Sequence, residues 1–386
     1  MSQSGNRWHC YADVRRAARR ALPHMVFDYI DGGAGGEAAL DRNQAAFRDA
    51  TLPARRLVDV SDRDQTVTPF GSTWQSPFAV APMGLTGVCR PDGDIILAKA
   101  AARAGVPFVL STASTSTVED VMAASRGEVW FQLYVLNPEA ARRLAVRAWN
   151  AGCRTLVLTA DVAVNGDRLR DRRNGFGVPL RYSPRLIADA ARHPAWTIRQ
   201  LRHGLPELAH FRAKDGNGAD AVAAQAALMQ RKMDAGFDWG GLAQLRAEWP
   251  GTLLVKGILR SDDAATCARL GVDGVIVSNH GGRQLEQSIA ALHAVDAVVP
   301  AVDVPVLMDG GVRSGADALV ALARGARGVL IGRPFLYALA AEGSKGVDAM
   351  FAMLRRQFDT AQALAGCPRA DRAQADLTLA RHHPRL

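Results

Sequence analysis

No stretch of this 386-residue chain approaches the roughly 20 consecutive apolar residues that cross a bilayer. Its opening, MSQSGNRWHCYADVRRAARRALPHM, carries charge throughout and lacks the apolar centre of a signal peptide, so a cytoplasmic protein is expected. Cysteine is sparse: Cys10, Cys89, Cys153, Cys267 and Cys367 are odd in number and never spaced as CxxC. That excludes a disulfide framework and a zinc site, and leaves isolated thiols used as small apolar residues. Lys and Arg exceed Asp and Glu by 47 to 38, a net charge of +9, but the surplus is diffuse. With no dense basic block and no aromatic-interleaved basic motif, a nucleic-acid partner is not expected; an anionic membrane surface or an acidic substrate suits the charge better.

What the chain does have is a repeated alternation. Hydrophobic residues are 48% and charged residues 22%, a globular composition. The stretch up to about residue 70 carries apolar residues at helical spacing, as in ADVRRAARRAL and HMVFDYI, broken by DGGAGGE. Short apolar runs then recur at 78–82, 107–111, 129–135, 155–161, 252–257, 274–280, 304–311 and 327–332. Between them lie Ala-rich amphipathic segments such as DIILAKAAARAG and GADALVALARG, each closed by Gly. Buried strands alternating with helices indicate a parallel sheet, and eight units close into an α/β (βα)8 TIM barrel. A doubly wound open sheet is the competing fold, but no GxGxxG follows the first strand. The expected organisation is a single domain over 1–386. It comprises an N-terminal helical region (1–70), the barrel (71–345), an insertion after strand 4 (165–237), and C-terminal helices with a tail (346–386).

The insertion far exceeds an ordinary βα connection. Within 180–216, Leu186, Ile187, Trp196, Ile198, Leu201, Leu205, Leu208 and Phe211 interleave with Arg181, Arg185, Arg192, Arg199, Arg202, Arg212 and Lys214. Two readings stand: a lid over the barrel mouth, or a basic amphipathic segment lying on anionic lipid.

In such a barrel the functional side chains sit where strands end. Those ends hold Pro82, Met83 and Gly84; Ser111; Gln132 and Tyr134; Thr159 and Asp161; and Lys256. The later ends hold Ser278, His280 and Arg283; Asp309, Gly310, Gly311 and Arg313; and Gly332 with Arg333. The glycine–arginine pairs DGGVR and IGRP suit a phosphate, because bare backbone N–H groups approach closely and guanidinium offsets the charge. His280 offers a base, Arg283 and Arg168 carboxylate clamps, Tyr29 and Tyr134 phenols.

The octet SNHGGRQL at 278–285, with LVKG, FQLYV, DGGVR and IGRP in this order and spacing, resembles the FMN-dependent α-hydroxy-acid dehydrogenase and oxidase family. The likeness runs from LPHMVFDY at 22 to LAGCP at 364–368, and LTADVAVNGDRLRDRRNGF and RHPAWTIRQLRHGLPELAHF look most like the (S)-mandelate dehydrogenase branch, where the insertion attaches to the membrane. The resemblance implies FMN as cofactor, a homotetramer, and peripheral contact through 180–216 with the inner face of the cell membrane. It implies His280 as catalytic base, Asp161 orienting it, and Tyr134 on the substrate oxygen. Tyr29, Arg168 and Arg283 would grip the carboxylate, and Lys256 would neutralise the reduced flavin. Pro82, Met83, Gly84, Ser111, Gln132, Thr159 and Ser278 would surround the ring and ribityl chain, with Asp309, Gly310, Gly311, Arg313, Gly332 and Arg333 on ribityl and phosphate.

The chemistry agrees. Oxidising a 2-hydroxy acid needs a base, and two arginines offset the charge of its carboxylate. Ala113 stands where relatives acting on the smallest acids often carry a bulky aromatic, which favours a larger substrate; Met83 replaces the usual small or β-branched residue beside the flavin. The expected activity is oxidation of an (S)-2-hydroxy acid such as mandelate to its 2-oxo acid, with electrons passed to a quinone-type acceptor at the membrane. The alternatives are an L-lactate dehydrogenase or an oxidase returning electrons to oxygen as peroxide. A different class also stands: a phosphate-ligand-binding barrel without redox chemistry, or an aldolase- or isomerase-type enzyme using Lys256 as a Schiff-base amine.

Overall fold

A computed structural model describes residues 8–176, 184–204, 206–211 and 233–377. Three helices come first: α1 (Tyr11–Ala21), α2 (His24–Asp31) and α3 (Ala38–Asp49). The expected helical character stops there. Residues 50–77 contain no helix or strand, only the bridges Asp64–Arg369 and Val67–Trp74 among bends and turns. Pro53, Pro69 and Pro77 in that stretch lack the N–H that a helix interior needs.

The strands are β1 (Phe78–Val80), β2 (Phe108–Ser111), β3 (Val129–Leu133), β4 (Thr155–Thr159), β5 (Thr252–Ile258), β6 (Gly274–Val277), β7 (Val306–Asp309) and β8 (Val329–Ile331). They form a closed parallel barrel in chain order, sealed where Phe78, Ala79 and Val80 pair with Val329, Leu330 and Ile331. Every one of the eight apolar runs is a barrel strand. The crossover helices cover the outside of the barrel and side chains fill its inside, so the strands are buried on both faces and read as unbroken apolar runs.

The covering helices are α4 (Thr86–Cys89), α5 (Gly93–Arg103), α6 (Val118–Ser125) and α7 (Pro138–Asn150). The insertion contributes α8 (Leu169–Asn174), α9 (Pro184–Ala191) and α10 (Pro194–His203), followed by a 3-10 turn at Ala209–Phe211. The barrel resumes with α11 (Trp239–Glu248), α12 (Ser261–Arg269), α13 (Ala291–Val298), α14 (Gly315–Ala323) and α15 (Arg333–Ala365), and α16 (Ala373–Leu377) ends the described residues. The expected boundary at 345/346 falls inside α15, just after its interruption at Gly343. Cys89, Cys153, Cys267 and Cys367 are buried, and Cys10 is exposed.

The insertion is not uniformly amphipathic. Trp196, Leu208 and Phe211 are buried against the barrel, whereas Ile187, Ile198 and Leu201 are exposed at 59%, 49% and 78%. The outward apolar side chains stand beside the exposed Arg192 and Arg202. Arg181, Leu205, Arg212 and Lys214 lie outside the described residues. Among the described residues no helix is long and apolar enough to cross a membrane.

Candidate active site

The strand ends open into a cavity of about 1010 Å³ at the C-terminal mouth of the barrel. That volume lies at the top of the range for small-molecule sites, enough for a nucleotide-sized ligand with a small acid beside it. Of the expected residues, Tyr29, Pro82, Met83, Gly84, Tyr134, Thr159, Arg168 and Lys256 line it. So do His280, Arg283, Asp309, Gly310, Gly311, Arg313, Gly332 and Arg333. Ser111, Gln132 and Ser278 lie beneath this surface instead, buried and joined by hydrogen bonds. Ser111 Oγ donates to Gln132 Oε1 at 3.0 Å, and Gln132 Nε2 donates to Thr159 Oγ1 at 2.9 Å.

Most residues of the octet have an assignable contact. Ser278 Oγ accepts from Lys256 Nζ at 2.8 Å and from the His280 N–H at 2.9 Å. Asn279 exchanges two amide hydrogen bonds with Asn43 of α3, at 2.8 and 2.9 Å, which ties the N-terminal region to β6. His280 has φ 57, a left-handed backbone that a non-glycine residue adopts only when the surroundings hold it there. Gly282, at φ 77, packs on α3 so closely that a Cβ would stand 2.5 Å from the Leu40 nitrogen. Arg283 donates to the Gly32 carbonyl at 2.7 Å, and Gln284 donates to the Asp161 and Val164 carbonyls at 2.8 and 2.9 Å. The bend aims the imidazole into the mouth and turns the arginine toward α2.

His280 Nδ1 lies 2.9 Å from Asp161 Oδ1. With its proton on that side, Nε2 carries the lone pair and accepts weakly from the Tyr134 hydroxyl at 3.4 Å. Burial depresses the basicity of His280; Asp161 opposes this but does not overcome it, and Lys256 adds to the depression. Burial works against a charged Asp161 as well, yet His280 and Lys256 hold its carboxyl below the usual carboxylate range. Burial pushes the Tyr134 phenol up to about 12, so it stays a donor.

Lys256 Nζ sits 3.1 Å from Asp309 Oδ2. Burial would lower its affinity for a proton, but Asp309 and Asp161 raise it above the ordinary value. A lysine held as a cation is a poor Schiff-base nucleophile, which needs a neutral amine. The aldolase-like reading therefore fails on electrostatics.

The groups expected to grip a carboxylate come from three separate segments. Tyr29 on α2 donates to the Gly84 carbonyl at 3.2 Å and stacks on Phe176, ring centroids 4.3 Å apart. The Arg283 guanidinium lies 5.3 Å from the Tyr29 ring centroid. Arg168 precedes α8 and lines the same cavity. The Tyr29 and Arg168 segments are joined behind the site by Asp31, which accepts two hydrogen bonds from Arg15 and one each from Tyr337 and Arg170. Arg170 also pairs with Glu37.

At the β7–β8 end, Arg313 Nε and Asp309 Oδ1 are buried without a hydrogen-bond partner among the described residues. One is a cationic donor suited to a phosphate, the other an acceptor suited to a sugar-chain hydroxyl. Gly311 has φ 94, and a Cβ there would meet the Asn43 carbonyl at 2.6 Å, so this backbone stays bare. The residues present thus fit a phosphorylated, hydroxylated cofactor. Arg333 is placed differently from the expectation of a simple phosphate ligand. It lines the cavity, but donates to the carbonyls of Ile30, Gly281 and Gly32 at 3.1, 2.9 and 2.8 Å. Burial, then Arg283 and Arg313, push it down to about 10.

Phe176, Leu208 and Met233 also line the cavity and were not singled out as site residues in the sequence. Leu208 was visible only as one apolar position of the insertion, and no local pattern distinguishes an apolar cavity wall from an apolar core.

A family model for FMN-dependent dehydrogenases matches residues 18–380. The chain is 45% identical over 356 residues to an (S)-mandelate dehydrogenase of Pseudomonas putida, covering 92% of this chain and 90% of that one. It is 44% identical over 361 residues to an L-lactate dehydrogenase of Caulobacter vibrioides, covering 92% and 93%. Among solved structures, one described as the monotopic membrane protein (S)-mandelate dehydrogenase superposes with a TM-score of 0.91 at 43% identity, covering 96% of this chain and 98% of that one.

Proposed function

We take as premise that this chain belongs to the FMN-dependent dehydrogenase family, an oxidoreductase acting on CH–OH groups with FMN as cofactor, and we propose that it oxidises a bulky or aromatic (S)-2-hydroxy acid such as (S)-mandelate. The observation that carries this is the His280 Nε2 lone pair, backed by Asp161, facing a cavity that also holds Arg168 and Arg283. FMN, when bound, accepts the two electrons released by the substrate. Pro82, Met83, Gly84, Thr159 and Lys256 would hold its ring and ribityl chain, with Ser111, Gln132 and Ser278 supporting them from beneath. Asp309 would accept from a ribityl hydroxyl, Gly310, Gly311, Arg313 and Gly332 would hold the phosphate, and Arg333 would brace this end through the carbonyls it binds.

The protein's own residues divide the remaining work. Arg168, Arg283 and Tyr29 bind and orient the carboxylate, where a guanidinium fork matches two oxygens. Nε2 of His280 takes the proton that the substrate loses, and Asp161 stabilises the imidazolium so formed. Tyr134, protonated at any ordinary pH, donates to the substrate oxygen. Lys256 keeps a fixed positive charge on the cavity wall, offsetting the charge that arrives with two electrons.

Substrate size is argued from Gly84 and Ala113. Both are small and adjacent: a Cβ on Gly84 would lie 3.1 Å from the Ala113 Cβ. L-lactate is the second reading, favoured by the similar lactate dehydrogenase. We further propose peripheral attachment to an anionic membrane surface through the outward faces of α9 and α10. That reading draws on the exposed Ile187, Ile198 and Leu201 and on the monotopic relative. A quinone-type acceptor and a homotetramer belong to the same proposal. The test is optical: the yellow purified protein is titrated anaerobically with mandelate, lactate and glycolate. Bleaching fastest with mandelate supports the assignment, and glycolate reacting as well as mandelate defeats the size argument. Reoxidation by a quinone analogue against air then separates dehydrogenase from oxidase.

A further inference from the structure

The insertion touches the barrel on two loops that form one wall of the cavity. From α10, Trp196 Nε1 donates to the Val88 carbonyl at 2.7 Å and Gln200 Nε2 donates to the Gly87 carbonyl at 2.8 Å. Both side chains are 6% exposed, on the opposite face from Ile198 and Leu201. From the following 3-10 turn, the Ala209 N–H donates to the Ser114 carbonyl at 3.0 Å and His210 Nδ1 lies 3.1 Å from the Thr112 carbonyl. The first loop carries Gly84 and the second Ala113, and Leu208 itself lines the cavity.

The two loops are stitched to each other as well. The Leu85 N–H donates to the Ala113 carbonyl at 2.9 Å, and the Gly87 N–H donates to Thr115 Oγ1 at 3.1 Å. Asp94, fully buried, accepts from the Thr115 N–H and hydroxyl, both at 2.9 Å. Leu85 has φ 56, a left-handed conformation that a branched side chain keeps only under external constraint. The Gly87 and Val88 carbonyls belong to α4, the short helix that Leu85 leads into, so the α10 side chains restrain the strained turn from outside.

We propose that the insertion is part of the substrate site, with Trp196 and Gln200 as positioning residues that set the wall against which the substrate's side chain packs. This rests on the hydroxy-acid reading above and goes beyond it. The segment that offers an apolar and basic face outward also fixes the width of the pocket inward. Neither residue touches substrate; each acts through Gly87 and Val88 on Leu85 and Gly84. A buried carbonyl deprived of its donor is costly, so the turn relaxes when the donor is removed. A substrate large enough to press on the wall then binds less well, whereas one with only a methyl group does not reach it.

The test compares the wild-type holoenzyme with Gln200→Met, which removes the donor at nearly constant buried volume, and with Trp196→Phe, which removes the indole donor and also trims the ring. Steady-state kinetics are measured with mandelate and with lactate, alongside the thermal midpoint and bound flavin. The expected result is a KM for mandelate raised about five- to tenfold, where tenfold corresponds to about 1.4 kcal/mol. Values of kcat should stay within about twofold, KM for lactate within about twofold, and flavin content unchanged. If Trp196→Phe does not fold, Gln200→Met alone decides. Equal KM shifts for both acids, or no shift for mandelate, overturn the proposal. A wild-type enzyme that oxidises neither acid overturns the hydroxy-acid reading and this proposal together, a result distinct from the other two because it is seen before any variant is made.

Discussion

Asp161 Oδ1 stands 2.9 Å from His280 Nδ1, and this contact joins the end of β4 to the end of β6 over the top of β5. Asp161 Oδ2 is buried with no hydrogen-bond partner among the described residues, so the carboxylate is directed chiefly at the imidazole. A buried anion placed this way selects the tautomer with Nε2 open to the cavity and strengthens as the ring gains a proton.

Replacing the base should separate cofactor binding from chemistry. His280→Ala is expected to keep its flavin, because the residue lies on the cavity surface and the floor beneath it is hydrogen-bonded independently. Flavin reduction by substrate should fall about 10²–10⁴-fold, the range for a general base. Single-turnover stopped flow measures it, and near-normal reduction would remove His280 from the mechanism.

The pH profile follows from the direction of the His280 shift. Burial lowers its pKa below the ordinary value of about 6.5. The base must be neutral, so kcat/KM should be level through neutrality and fall only on the acid side. Asp161 opposes the shift, so Asp161→Asn should move the acid limb to still lower pH while reducing the plateau. Stability has a matching sign. Below pH about 6.5 the unfolded chain binds a proton that folded His280 refuses, so folding weakens as pH drops toward the folded value. Rate profiles and thermal midpoints between pH 4.5 and 8 would reveal both; an acid limb above the ordinary histidine value contradicts the electrostatics.

Behind the clamp, Asp31 is expected to be a stability determinant with consequences for substrate affinity. Burial disfavours its charge, but Arg15, Tyr337 and Arg170 together hold the carboxyl at about 2. Its contribution is present above the unfolded value of about 4 and is lost as pH falls from there toward 2. Arg15 and Arg170 are 38% and 34% exposed, so solvent screening leaves about 1–2 kcal/mol. Asp31→Asn should lower the free energy of unfolding by that amount at neutral pH and raise KM, because α2 carries Tyr29 and leads into the Gly32 carbonyl that accepts from Arg283. An unchanged KM would show that the hub serves stability alone.

Attachment through the insertion should depend on both its apolar and its basic side chains. Ile198→Ser with Leu201→Ser is expected to weaken binding to anionic phospholipid vesicles by about a hundredfold or more, since each fully buried side chain of this size contributes about 1.5–3 kcal/mol and every 1.4 kcal/mol is tenfold. Binding should also weaken with salt, as exposed Arg192 and Arg202 are screened. Wild-type protein that ignores such vesicles at low salt excludes the lipid role.

Much of this architecture was legible along the chain because its causes are local. A strand buried on both faces declares itself as an apolar run, and the helix-ending glycines mark where each crossover turns back. The mouth residues could be read because a parallel barrel places every strand's C-terminal end on one face, so His280, Lys256 and Asp309 share a site even without a contact map. The octet carried a base and a cation at a bend, and the bend is built as two glycines suggest, with φ 63 and 77.

Tertiary structure decided the rest. The amide pair of Asn43 and Asn279 joins residues 236 positions apart, and neither side chain differs in sequence from any surface asparagine. Arg333 resembles a phosphate ligand in its motif, yet its donors are directed to carbonyls of α2 and of the octet, because those segments happen to pass beside it. The insertion showed one amphipathic pattern, but packing divided it into residues that hold the cavity wall and residues that face outward. A periodic pattern records which positions avoid water, whereas only the folded chain determines what each of them is buried against.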